Sequence, residues 1–141
     1  MSTRWPLLAL VVLATGCGGN AHKTVPVSGK VTLDGKPLAD ATLMFVPVSG
    51  AVSKSDPPPS SVGTTNGDGN YTLVLNTNAK RKGAVPGKHK VIITLGAKPA
   101  ENETKRTFHK QLPSEYNRNT KLEWEVPAGG CTDADFNLKS K

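Results

Sequence analysis

The chain has 141 residues, 36% of them hydrophobic and 21% charged, with a formal net charge of +7. That length suits one domain able to bury its own core, and the composition excludes a disordered or collagen-like chain. The two cysteines, Cys17 and Cys131, are too few for a disulfide framework.

The N-terminus reads as a targeting segment, residues 1–16. Arg4 supplies a positive charge, and the run from Trp5 to Ala14 is almost wholly apolar. It is shorter than the roughly 20 residues a spanning helix needs, so the pattern is that of a signal peptide. Its end, Ala14-Thr15-Gly16-Cys17, resembles a lipobox, in which small residues precede a cysteine that receives a diacylglycerol before cleavage. Lipidation at Cys17, with palmitate-type chains, is the implied modification. One chain attaches only reversibly, at about 0.8 kcal/mol per buried methylene, whereas two or three give stable residence. Residues 17–24, which include Gly18-Gly19, form a tether. Loss of Arg4 with the leader lowers Lys plus Arg from 18 to 17 against 11 acids, a net +6.

From residue 25 to 141 the pattern has period two, the sign of half-buried strands. The first strand spans 24–33, with Val25, Val27, Val31 and Leu33 on one face. Asp34-Gly35 is a hairpin signal, because glycine adopts positive φ without cost. The second strand, 41–48, is apolar on both faces, which predicts a central position with both sides covered. Residues 49–61 contain Pro57-Pro58-Pro59 and form a loop. A short third strand covers 62–65, before the turn Asn66-Gly67-Asp68-Gly69.

The fourth strand, 70–75, carries Tyr71, Leu73 and Leu75 on one face. Residues 76–86 form a basic loop with Lys80, Arg81 and Lys82. The fifth strand spans 87–95. The polar stretch 96–120 is long enough to suggest a functional loop, with a helical turn or two expected at 101–109. The sixth strand, 121–126, turns Leu122, Trp124 and Val126 inward and Lys121, Glu123 and Glu125 outward. A seventh points Phe136 and Leu138 inward. Short strands at this spacing predict an all-β fold, a seven-stranded antiparallel β-sandwich.

The string Val27-Ser28-Gly29-Lys30-Val31-Thr32-Leu33-Asp34-Gly35-Lys36-Pro37-Leu38-Ala39-Asp40-Ala41 resembles the opening of carboxypeptidase regulatory-like domains, which have a transthyretin-like (prealbumin-like) sandwich. Thr64-Thr65-Asn66-Gly67-Asp68-Gly69-Asn70-Tyr71 and Val85-Pro86-Gly87-Lys88-His89-Lys90-Val91 are similar to that family's turns. The whole resembles small transthyretin-like lipoproteins of the planctomycete type. The resemblance implies a Greek-key sandwich and an accessory, non-enzymatic role. The Tyr-Arg-Gly-Ser ending of the related hydroxyisourate hydrolases is missing.

Chemistry-bearing residues do not assemble into a catalytic set. The histidines, His22, His89 and His109, lack metal-ligand spacing, so neither metal nor cofactor is expected. No Gly-x-Ser-x-Gly elbow is present. Asn66 to Asn70 reads as a hairpin, not a calcium loop, because the acids and terminal Glu of such a loop are missing. Glu123 and Glu125 read as a solvated sheet face, and Cys131 as a half-buried turn residue.

The basic residues Lys80, Arg81, Lys82, Lys98, Lys105, Arg106 and Lys110 concentrate in two loops. These are the candidate binding residues, suited to anionic headgroups, an anionic glycan or an envelope protein. Nucleic acid is not expected, because no aromatics interleave with the charges. The expected function is a non-catalytic lipoprotein of the cell envelope, its domain in the periplasm or at the cell surface and its oligomeric state open. The alternatives are a small transthyretin-like hydrolase and a small-ligand carrier.

Overall fold

The computed structural model describes residues 22–48, 57–77, 80–96 and 112–140. They form an all-β domain of nine short strands: β1 (Ser28–Leu33), β2 (Lys36–Pro37), β3 (Ala41–Pro47), β4 (Ser61–Thr64), β5 (Asn70–Thr72), β6 (Val74–Leu75), β7 (Gly87–Leu95), β8 (Glu123–Val126) and β9 (Phe136–Leu138). A 3-10 turn, Ser114–Tyr116, precedes β8. Two sheets face each other in a sandwich-like arrangement. The larger has the order β6-β4-β3-β7-β8 and is antiparallel throughout; the smaller joins β1 to β2, β5 and β9.

Alternation dictates which side chains fill the space between the sheets. Along β3, Ala41, Leu43 and Phe45 are fully buried, while Thr42, Met44 and Val46 point to the opposite face and are half-buried. Val27 and Val31 of the first strand segment, Leu73 between β5 and β6, Val91 and Ile93 of β7, and Leu138 of β9 complete the interior. Each such side chain contributes about 1.5–3 kcal/mol by leaving water. Phe45 sits at the centre: its ring centroid lies 6.0 Å from Phe136, edge-on, and 6.5 Å from Tyr71.

Several strands differ from the sequence expectation in ways that the main chain explains. Strand 70–75 divides. β5 pairs with β1, Ser28 opposite Thr72, whereas β6 pairs with β4, Val62 opposite Val74. The change of sheet occurs at Leu73, whose N–H donates to Val27 O at 2.9 Å and whose C=O accepts from Gly83 N at 2.7 Å. Asp34 and Gly35, both with positive φ, make the expected hairpin, but it returns into a further two-residue strand, β2. The sandwich is also not antiparallel throughout. β9 runs parallel to β1, Val31 opposite Phe136, because the chain crosses from one sheet to the other after β8. β3 is central, between β4 and β7, but its Met44 face is only partly covered by the described residues.

Gly29 permits the closest approach in the small sheet. A Cβ there would stand 2.1 Å from Ala134 O, so only glycine lets the segment before β9 lie against β1.

Candidate functional site

Of the sequence-derived site residues, Lys80, Arg81 and Lys82 fall within the described structure; Cys17, Lys98, Lys105, Arg106, Lys110 and His109 lie outside the described residues. The three basic residues are exposed on the connection between β6 and β7. That connection is tied at both ends. Leu75 N–H donates to Arg81 O at 2.7 Å, and Val25 and Ala84 exchange N–H···O bonds of 2.9 and 3.0 Å. Gly83, at φ +99, makes the turn possible: a Cβ there would stand 2.0 Å from Val25 O. The Arg81 guanidinium Nη1 donates to the main-chain carbonyl of His22 at 3.2 Å. Arg81 of the basic triplet therefore lies beside His22, the first of the described residues, a neighbourhood that sequence spacing did not indicate.

His89 lies on β7, on the inner face, 1% exposed. Its Nδ1 is 2.9 Å from Gly87 O, and a carbonyl only accepts, so Nδ1 carries the proton. Nε2 is then a bare acceptor, buried and without a hydrogen-bond partner among the described residues. Burial pushes the imidazole below its usual range, offset in part by the bond to Gly87. The Phe45 ring lies 5.9 Å away. An imidazole so enclosed is a core residue, with no described carboxylate or thiol bonded to it. Among the described residues no group of three His, Cys, Asp or Glu side chains is placed to hold a metal ion.

The other candidates fall into structural roles. Asn66 Oδ1 accepts from the N–H groups of Asp68 and Asn70, both at 3.0 Å, so this oxygen caps the hairpin. Cys131 is a free, half-buried thiol whose main chain bridges to Val27. The Tyr71 hydroxyl donates to Ala134 O, and burial, then the neighbouring Cys131 and Asp135, push its pKa up. Glu123 and Glu125 point outward from β8, as expected. Their cross-strand partners are Lys90 and Lys88, and the Lys88 ammonium lies 2.9 Å from Glu123. The hydrogen bond to Glu123 raises the Lys88 pKa. The alternation Lys88-His89-Lys90 matches Glu123-Trp124-Glu125 in this register, charge opposite charge on the outer face and ring opposite ring on the inner.

The fold thus defines a two-sheet all-β domain with a basic loop at its N-terminal end. No protein-family model, curated protein or solved structure matches the chain. No helix among the described residues is long and apolar enough to cross a membrane.

Proposed function

We propose that the chain is a non-catalytic lipoprotein of the bacterial cell envelope, anchored through lipid on Cys17, whose transthyretin-like sandwich serves as a binding or structural module. Residues 1–16 are its signal peptide, and the domain lies in the periplasm or at the cell surface. The observation that carries this reading is the apolar run ending in Ala14-Thr15-Gly16-Cys17, five residues ahead of the His22 carbonyl that Arg81 holds. An acylated Cys17 at a bilayer brings Lys80, Arg81 and Lys82 within reach of anionic headgroups. Basic side chains near such a surface contribute about 1 kcal/mol each, a second signal added to the lipid. An anionic glycan or an acidic face of an envelope protein presents the same charge to the same loop.

Metabolic labelling with a palmitate analogue tests the anchor. The intact chain takes up label and partitions with membranes; Cys17→Ser loses both. An unlabelled wild-type chain overturns the anchor. Neutralising Lys80, Arg81 and Lys82 together to Gln leaves labelling intact and weakens salt-sensitive binding of the lipoprotein to anionic vesicles. Unchanged vesicle binding removes the loop from the proposal.

A further inference from the structure

β4 and β6 begin as partners: Asn76 N–H donates to Ser60 O at 2.9 Å, and Val62 faces Val74. The same hairpin closes again at its tip, where Asn66 N–H donates to Asn70 O at 2.9 Å. Between these two points the register sets Thr64 opposite Thr72. Gly63 and Thr65 carry the bonds to β3, so the N–H and C=O of Thr64 turn away from β3, toward Thr72. Tyr71 and Leu73 carry the bonds to the first strand, so the N–H and C=O of Thr72 turn toward β4. Yet the two residues do not pair, because β5 has left β4 for the other sheet. Four main-chain groups, two donors and two acceptors, face the split without a hydrogen bond among the described residues.

Side chains add to this set. Ser28, Thr64, Asn70 and Thr72, which carry three hydroxyls and an amide, line a solvent-open cavity of about 640 Å³. None of these side chains has a hydrogen-bond partner among the described residues. Asn66 Oδ1 is occupied by the turn, which leaves its Nδ2 donor for a ligand. The charged lining residues are Lys30 and Asp135, one of each sign. The volume falls within the span of small-molecule sites.

The geometry points to the split between β4 and β5 as a binding site for a neutral, hydroxyl-rich ligand, a short stretch of a saccharide chain. Closely spaced donors and acceptors without net charge match vicinal hydroxyls, each of which donates and accepts. An anion would meet Asp135 as well as Lys30, and an apolar ligand would strand the main-chain groups. Every bond formed here exchanges with water, and Tyr71, the one aromatic among the lining residues, is buried, so weak binding is expected, with a dissociation constant on the order of millimolar. The inference deepens the envelope-binding reading by naming a ligand class, and it is separable from the anchor: a labelled, membrane-bound chain that ignores saccharides overturns this site alone.

The test is an amide chemical-shift titration of the 15N-labelled intact lipoprotein in dodecylphosphocholine micelles, which carry no sugar headgroup. Maltotriose, cellotriose and chitotriose are added separately. Saturable shifts are expected for Thr64, Asn66, Asn70 and Thr72 with at least one trisaccharide, and none for Glu123 and Glu125 on the far edge of the larger sheet. Absence of shifts with all three overturns the site, as does movement of the same amides by sodium sulfate alone. The exposed pair Asn70→Ala and Thr72→Val, with core methyl resonances unchanged, weakens binding by at least about tenfold. A folded double variant that binds as tightly as wild type overturns the assignment.

Discussion

His89 on β7 stands directly across from Trp124 on β8, with both side chains turned into the sandwich and neither His89 Nε2 nor Trp124 Nε1 hydrogen-bonded among the described residues. One nitrogen is a bare acceptor and the other a donor. The Trp124 ring packs edge-on against Phe136 at 5.7 Å, and His89 against Phe45 at 5.9 Å. Two polar atoms are thus sealed beneath the edge of the larger sheet by aromatic packing.

Acid should loosen the domain through this histidine. Burial lowers its folded pKa below the unfolded value of 6.5. Above 6.5 both states are neutral here and stability does not depend on this site. Below it the unfolded chain takes up a proton that the folded chain refuses, so stability falls until the folded pKa is reached. A tenfold difference in proton affinity between the two states corresponds to about 1.4 kcal/mol. Denaturant midpoints of wild type should decline from about pH 7 toward about pH 5, with a shallower decline in His89→Phe. Parallel slopes would show that His89 is not the responsible group.

Trp124→Phe should cost little. It keeps an aromatic ring against Phe136 and deletes an orphan donor whose burial is itself unfavourable. Urea unfolding is expected to place it within about 1 kcal/mol of wild type. A loss comparable to a large-to-small core change would mean that the indole nitrogen is satisfied in solution.

The two faces of β3 should respond unequally. Phe45→Ala removes the ring that joins Tyr71, His89 and Phe136 and should cost about 3–5 kcal/mol. Met44→Ala, on the half-buried face, should cost a minor fraction of that. Equal losses would indicate that the outer face is also buried in solution.

Gly29→Ala should be far worse than Gly67→Ala. The first sets a Cβ 2.1 Å from Ala134 O; the second meets nothing within 4 Å. Separating β1 from the segment before β9 by even a few tenths of an ångström also stretches the bonds Ser28 N–H to Cys131 O, 3.0 Å, and Ala134 N–H to Ser28 O, 3.1 Å. A loss of about 1–3 kcal/mol is expected, typical of forced overpacking. Thermal unfolding of the two variants side by side checks it.

Much of the interior was legible before any coordinate. Val25, Val27 and Val31, then Tyr71, Leu73 and Leu75, recur at every second position on the faces that the sequence assigned inward, and all are buried, as are Leu43 and Phe45 of the strand that is apolar on both faces. Strand β7 has the bounds that periodicity assigned, 87–95. Trp124 turns inward and Glu123 and Glu125 outward, as the sixth strand required. The candidate site was less legible: the basic triplet was visible, but not its hydrogen bond to His22.

Side-chain alternation is a local property, recorded residue by residue, so the amino-acid order alone decided which faces are apolar and where turns fall. Main-chain N–H and C=O groups are the same at every non-proline residue, and their pairing joins segments far apart in the chain. Only the assembled fold could therefore decide that β9 lies parallel to β1, that Leu73 changes sheets, and that Thr64 and Thr72 part company.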